Sequence, residues 1–213
     1  MILNLGVPRT GTVYAQQTLA PIRPHGHYVP DMAGWPYSTF QPLPVEYTGD
    51  FTFAVVRNPF DLIVSWWSLM HRHDVQQHHP DRKLAHLTFR DAVTLMAHRV
   101  DDWPRRPTLF HQLFGDGWKL ADMDYLARYE TLHDDYAEIA RLAGGTYTPK
   151  PPANSSERDD YRGYYDDHLI GLVEDAWGAD LSFFGYSVDG PVGTALTTFG
   201  PNPRPTSLKE TAQ

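Results

Sequence analysis

The chain has 213 residues, of which 41% are hydrophobic, and its formal net charge at pH 7 is −8. This length suits one α/β domain with a substantial core, and the acidic balance excludes a general nucleic-acid binder, which needs a broad cationic face. The sequence contains no cysteine, which excludes a disulfide framework.

The first predicted element is a strand followed by a loop of the kind that binds phosphate. Residues 1–5 are mostly apolar, as in a buried parallel strand, and the turn residues of 6–11 precede a helix predicted over 12–19. Backbone N–H groups at such a turn favour an anion. The loop also carries the permanent charge of Arg9 and two threonine hydroxyls. An ordinary strand-to-helix turn is the alternative interpretation.

The glycines of this loop, Gly6 and Gly11, have the spacing of the nucleotide-triphosphate loop. In that motif the second glycine is followed by Lys, which neutralises phosphates, and then by Ser or Thr, whose hydroxyl holds magnesium. Here Thr12 and Val13 follow instead. The sequence therefore argues against ATP or GTP hydrolysis. The positive charge of this loop comes instead from Arg9, which lies between the two glycines.

Two histidines, His25 and His27, lie between the first predicted helix and the next strand. Histidine accepts a proton near neutral pH and is therefore a candidate general base. The proline-broken stretch that follows carries aromatic residues that either line a pocket or pack in the core, namely Tyr28, Trp35, Tyr37 and Phe40.

The second motif follows an uncharged strand predicted over residues 51–56. Arg57 stands at the C-terminal end of that strand, where open α/β sheets bind ligands. Asn58 has the chemistry of an N-cap for a helix that we predict to end near Met70. Ser65 lies about two helical turns further on, so its hydroxyl and the Arg57 guanidinium are placed to hold one phosphate. Alternatively, Arg57 pairs with a carboxylate and Ser65 is a small residue at a helix contact.

The rest of the chain predicts a scaffold. Capping boxes at Thr88 and Thr131 begin helices that end near Val100 and before Gly144, a strand is predicted over 123–127, and a last helix over 166–177. Several histidines lie in a polar stretch before Thr88, but zinc sites need ligands on converging rigid elements, so we predict no metal site from His71, His73, His78, His79 and His86.

The two motifs together resemble those of sulfotransferases. Val7-Pro8-Arg9-Thr10-Gly11-Thr12 is similar to the 5′-phosphosulfate loop of that family, and Val56-Arg57-Asn58-Pro59 with Ser65 is similar to its 3′-phosphate motif, at the family's spacing. Residues 127–130, 154–165 and 183–186 agree in order and character. The resemblance covers roughly residues 1–187 and is nearest to the compact branch that contains carbohydrate sulfotransferases.

This resemblance implies a single P-loop-like α/β domain over residues 1–187, with a short central parallel sheet flanked by helices; residues 188–213 are rich in Pro, Gly and Thr and are predicted to form a flexible tail. It implies 3′-phosphoadenosine-5′-phosphosulfate (PAPS) as donor, adenosine 3′,5′-bisphosphate (PAP) as product and no metal. The implied nucleotide-binding residues are Pro8, Arg9, Thr10, Gly11, Thr12, Val13, Arg57, Ser65 and Arg158, with Arg162 as the alternative to Arg158.

The resemblance also implies a catalytic mechanism. Arg9 would stabilise the charge that builds on the leaving phosphate, and His27, with His25 as second choice, would remove the proton of an acceptor hydroxyl. His71, His73 and Glu46 are further candidates for the base. An ATP-dependent small-molecule or nucleotide kinase of related fold and a non-catalytic nucleotide-binding module are the alternative functions.

The setting is expected to be cytoplasmic. No apolar stretch approaches the roughly 20 residues that span a bilayer, and Met1 leads into a strand without a leader-like segment. The absence of cysteine points the same way. Since the surface carries no excess of basic charge, a neutral sugar, lipid or natural-product hydroxyl is a better acceptor than an extended sulfated polysaccharide.

Overall fold

In the part of the chain that the structure describes, the centre of the fold is a parallel sheet of three strands in the order β1-β3-β4. The computed structural model describes residues 1–4, 9–23, 49–71, 86–98, 124–151 and 158–193. The predicted α/β class, a short parallel sheet flanked by helices, is confirmed. The elements in chain order are β1 (Ile2–Asn4), α1 (Thr12–Thr18), β2 (Leu19–Ala20), β3 (Phe51–Val56), α2 (Pro59–Met70), α3 (Phe89–His98), β4 (Tyr125–Arg128), a 3₁₀-helix (Tyr129–Thr131), α4 (Leu132–Leu142), β5 (Thr146–Tyr147), a second 3₁₀-helix (Tyr161–Tyr164), α5 (Asp167–Phe184), β6 (Tyr186–Ser187) and β7 (Gly190–Pro191).

The middle strand, β3, divides its side chains between two cores. Phe53 and Val55 pack with α1 and α4, whereas Ala54 and Val56 pack with α2, α3 and α5. The division follows from strand geometry, because successive side chains point to opposite faces. The sheet is therefore covered by helices on both faces, as parallel sheets generally are.

Helix α2 begins and ends as the sequence predicts. Asn58 Oδ1 accepts a hydrogen bond from Phe60 N at 3.1 Å, Pro59 is the first helical residue, and the helix ends at Met70. The capping box of α3 is also confirmed, because Thr88 Oγ1 accepts from Asp91 N at 3.2 Å.

The capping box predicted at Thr131 is wrong. The Thr131 hydroxyl donates to Asp135 Oδ2 at 2.7 Å and makes no capping hydrogen bond to α4. The same buried carboxylate accepts from Arg128 N at 2.8 Å and from the Tyr125 hydroxyl at 2.7 Å. Asp135 therefore connects the end of β4 to α4, and the Thr131 hydroxyl donates a further hydrogen bond to this connecting carboxylate.

The prediction that the last helix ends at Trp177 is also wrong. Trp177 departs from helical geometry, with φ −121° and ψ 16°, but the chain resumes the helix and continues to Phe184. Leu181 and Phe184 are buried in the core, which holds this second segment in place. Gly185 then ends α5 in the left-handed conformation, with φ 65°.

The chain after α5 turns back in a short hairpin. Ser187 of β6 pairs with Gly190 of β7, so residues 188–193, which the sequence assigned to the tail, include a strand. The remaining tail, residues 194–213, lies outside the described residues. Within the described ranges, no helix is both long and apolar enough to cross a membrane.

A buried carboxylate, Asp50, helps to join three segments at the N-terminal end of β3. Its Oδ2 accepts from Arg23 Nε at 2.6 Å, and its Oδ1 accepts from Arg23 Nη2 at 3.3 Å. Arg23 also donates its backbone N–H to Ile2 O, so the ion pair links β1, the segment after β2 and β3. The hydrogen bond from Arg23 lowers the pKa of Asp50 from its ordinary value of 3.8, although burial opposes this effect.

We expect Asp50→Asn to lower the free energy of unfolding by about 1 kcal/mol at pH 7, because a partly exposed charged pair is lost. The pKa of Asp50 is lower in the folded chain, so its contribution is complete above 3.8 and disappears as the pH falls through the folded value. Urea unfolding of both proteins at pH 7 and at decreasing acid pH should therefore show a difference that shrinks. A difference that stays constant would contradict the assignment.

Candidate anion-binding site

The loop before α1 has an unusual backbone. Arg9 has φ 63° and Gly11 has φ 86°, both in the left-handed region. This region costs a residue with a side chain roughly 1–2 kcal/mol, so the conformation of Arg9 must be held by its surroundings. At Gly11 a Cβ would lie 3.1 Å from Leu132 Cδ2, so a side chain there meets both strain and crowding.

The other described residues of this loop contribute packing and the start of the helix. Thr10 is fully buried, Gly11 O accepts from Ala15 N at 3.0 Å, and Thr12 is the first residue of α1. Val13 is 42% exposed. Because α1 has only seven residues, its dipole contributes little to anion binding. The positive charge that could attract an anion therefore comes mainly from side chains.

The two sequence motifs meet in space. Arg9 Nε donates to Ser65 Oγ at 3.0 Å, and Arg57 Nη1 donates to the Arg9 carbonyl oxygen at 2.7 Å. Arg9 and Arg57 are 48 residues apart in the chain and follow the C-terminal ends of neighbouring parallel strands. The sequence-predicted residues Arg9, Arg57 and Ser65 therefore form one cluster.

Arg57 is buried and held on several sides. Its Nε donates to Asp61 Oδ2 at 2.7 Å, and its guanidinium carbon lies 3.9 Å from the centre of the Tyr129 ring. The alternative interpretation of Arg57, that it pairs with a carboxylate, is therefore also confirmed, since its partner is Asp61. These contacts use Nε and Nη1, and among the described residues Nη2 has no acceptor.

Arg158, which lies 97 residues after Asp61 in the chain, contacts the same carboxylate. Its Nη2 donates to Asp61 Oδ1, and its Nη1 is buried without a hydrogen-bond partner in the described part of the structure. Arg162, the alternative candidate, pairs with Asp160 at 2.8 Å and has a side chain that is 45% exposed. Of the two arginines, Arg158 is the one that joins the cluster.

The donors that remain define what the cluster can bind. Ser65 is 1% exposed and accepts from Arg9, while its own hydroxyl proton has no acceptor among the described residues. The unused Arg57 Nη2 and Arg158 Nη1 add two charged donors. Two guanidinium groups, those of Arg57 and Arg158, share the one carboxylate of Asp61, so this pair of arginines keeps a net positive charge. Such a set is suited to a phosphate or sulfate group.

Asn58 and Glu130 fix the edge of the sheet beside this cluster. Asn58 N donates to Glu130 Oε1 at 2.9 Å, and Asn58 Nδ2 donates to Ser187 O at 2.7 Å. Glu130 Oε2 accepts from the Tyr186 hydroxyl at 2.8 Å. Burial, together with the negative charge of Glu130, raises the pKa of Tyr186 well above its usual value, which keeps this hydroxyl a donor.

Sequence reasoning missed the roles of Asp61, Tyr129 and Glu130 in this arrangement. No role is assigned to Asp61 from the sequence alone, although its i,i+4 spacing from Arg57 is a signal for a helix ion pair. The stretch containing Tyr129 and Glu130 was noticed only through resemblance. No local sequence pattern predicts that the Tyr129 ring packs against the Arg57 guanidinium.

Several predicted site residues lie outside the described residues, namely Pro8, His25, His27, Glu46 and His73. His71 is described at the end of α2, where its Nδ1 lies 2.9 Å from Trp67 O. In the described ranges, no group of three or more His, Asp or Glu side chains is arranged to hold a metal ion.

Comparison of the chain with models of known protein families, with curated proteins and with solved structures gave no match.

The contacts of Asn58 predict different effects for two substitutions. Asn58→Ala should lower the free energy of unfolding by about 2 kcal/mol, since both the helix cap and the bond to Ser187 O are lost. Asn58→Asp keeps a capping oxygen but loses the amide donor and places a second carboxylate beside Glu130, so it should still cost about 1 kcal/mol. Urea unfolding measures both, and an Asp variant as stable as the parent would show that only the cap matters.

Proposed function

We propose that the protein is a sulfotransferase that uses PAPS as donor and a hydroxyl of a sugar, lipid or natural product as acceptor. The observation that carries the proposal is the contact of Arg9 with Ser65 and Arg57, which brings the 5′-phosphosulfate loop and the 3′-phosphate motif into one cluster. Two independent motifs that also meet in space support this donor more strongly than either motif alone. The fold we propose for the domain is accordingly P-loop-like, and the setting is cytoplasmic.

The 3′-phosphate is assigned to Arg57, Ser65 and Arg158. A phosphate dianion can accept from Arg57 Nη2, Arg158 Nη1 and the Ser65 hydroxyl, the three donors that have no partner in the described part of the chain. Charge-assisted bonds of this kind are roughly twice as strong as neutral ones. A nucleotide without the 3′-phosphate cannot use them, so the site discriminates PAPS and PAP from ATP.

Arg9 is assigned to the reacting phosphosulfate. In the transfer, the bond between sulfur and the bridging oxygen of the 5′-phosphosulfate breaks, and a bond forms between sulfur and the acceptor oxygen. Negative charge develops on the leaving phosphate, where a fixed guanidinium lowers the barrier. The acceptor proton passes to a general base, for which we propose His27 with His25 as the alternative.

Arg57→Ala tests the donor assignment. We expect the variant to bind PAP more weakly by about 1.5–3 kcal/mol, the scale of a hydrogen bond to a charged group, and to bind adenosine 5′-phosphate almost unchanged. Calorimetric titration measures both affinities, and a magnesium-ATP titration of the parent protein tests the kinase alternative.

The matched control is Arg162→Ala, because Arg162 is a nearby arginine outside the cluster and should leave both affinities unchanged. Thermal unfolding of each variant checks that the fold is retained. Equal losses for PAP and adenosine 5′-phosphate would remove Arg57 from its role. A parent protein that prefers magnesium-ATP would replace the sulfotransferase proposal with a kinase.

His27→Ala tests the base. With an acceptor found by screening with radiolabelled donor, we expect kcat to fall by about two orders of magnitude, within the range for general-base catalysis, while PAP affinity stays near that of the parent. His25→Ala, prepared in parallel, is the control. Full activity in the His27 variant with loss in the His25 variant would transfer the role to His25.

A further inference from the structure

We infer that Asp61 is a positioning residue of the anion site, whose carboxylate orients Arg57 and Arg158 and remains paired with both when the anion binds. The inference rests on the proposed function, because it concerns the site assigned to the 3′-phosphate. It assigns a role in anion binding to a residue that itself carries negative charge.

The geometry of Asp61 is that of a bridge. Oδ2 accepts from Arg57 Nε at 2.7 Å and Oδ1 accepts from Arg158 Nη2, so each carboxylate oxygen holds one guanidinium. Asp61 lies four residues after Arg57 on α2 but 97 residues before Arg158. The carboxylate thus joins two distant segments, and its side chain is only 11% exposed.

A negative group is needed here when no anion is bound. Burying a charge without a partner is strongly unfavourable, and two guanidinium groups without a counter-charge would also repel each other. The side chains of Arg57 and Arg158 are 5% and 15% exposed, so solvent screens them poorly. Asp61 compensates this charge and allows both side chains to stay in the site before the ligand arrives.

The carboxylate and the anion need not compete. A guanidinium has five N–H donors, and Asp61 takes one from each arginine. Arg57 Nη2 and Arg158 Nη1 have no partner in the described structure, and they belong to the same rigid planes that Asp61 orients. Asp61 therefore determines the direction of the donors that we assign to the phosphate.

Removal of the Asp61 charge separates this role from simple electrostatics. If Asp61 acted only through its charge, Asp61→Asn would make the site more positive and would strengthen anion binding. If Asp61 orients the arginines, the same variant weakens binding, because the amide offers one acceptor oxygen where the carboxylate offers two. The two explanations predict opposite signs.

The experiment is calorimetric titration of the parent, Asp61→Asn and Asp159→Asn with PAP and with adenosine 5′-phosphate. Asp159 is an exposed acidic residue next to Arg158, so its variant loses the same charge outside the bridge. We expect Asp61→Asn to bind PAP at least tenfold more weakly with little change for adenosine 5′-phosphate, and Asp159→Asn to bind both as the parent does. With a screened acceptor, the Asp61 variant should raise KM for PAPS and leave kcat nearly unchanged.

A second measurement needs no variant. Exchange of the Arg57 Nε–H proton, followed by NMR on the full chain with and without PAP, reports whether the bond to Asp61 persists. We expect the proton to stay protected when PAP binds. Loss of protection on binding would mean that the phosphate displaces Asp61, which would overturn the inference even if Asp61→Asn failed to fold.

The outcomes distinguish the two proposals. A parent protein without 3′-phosphate-dependent binding of PAP would overturn the proposed function and the inference that rests on it. A parent protein with that dependence, together with an Asp61→Asn variant that binds PAP as tightly or more tightly, would overturn the inference alone.

Discussion

Burial of the Arg57 guanidinium is the constraint on which the rest of this edge of the sheet depends. A buried, permanently charged group must have acceptors in fixed positions. The chain supplies the Asp61 carboxylate from α2, the Arg9 carbonyl from the loop before α1 and the Tyr129 ring from the 3₁₀-helix after β4. Each acceptor belongs to a different segment, so satisfying one side chain sets the positions of three.

The left-handed backbone of Arg9 is understandable in this setting. The Arg9 carbonyl receives Arg57 Nη1, while the Arg9 side chain donates to Ser65. One residue thus contacts the second motif through both its backbone and its side chain, and these bonds offset the cost of φ 63°. Strain of this type concentrates at functional sites, which agrees with the role that we propose for Arg9.

The parts of the structure that the sequence predicts well are those determined by local chemistry. Strand β3 and helix α2 follow from an uncharged run, an N-cap asparagine and a proline at the first helical position. The end of α5 could not be predicted in this way. The helix continues after Trp177 because Leu181 and Phe184 pack in the core, and this tertiary packing is not visible in the local sequence. The bridge from Arg158 to Asp61 spans 97 residues, and no local pattern encodes a contact of that separation.

The division of β3 between two cores limits how this segment can change in evolution. Substitutions that preserve volume can be absorbed one side chain at a time. An inserted or deleted residue within the strand would exchange the faces of Phe53, Ala54 and Val55, since the side-chain period of a strand is two. The same shift would move Arg57 relative to the Arg9 carbonyl oxygen and the Tyr129 ring, which belong to other segments. We therefore expect related sequences to differ along β3 by substitutions and not by insertions or deletions. The length of the strand and Arg57 at its end should stay the same.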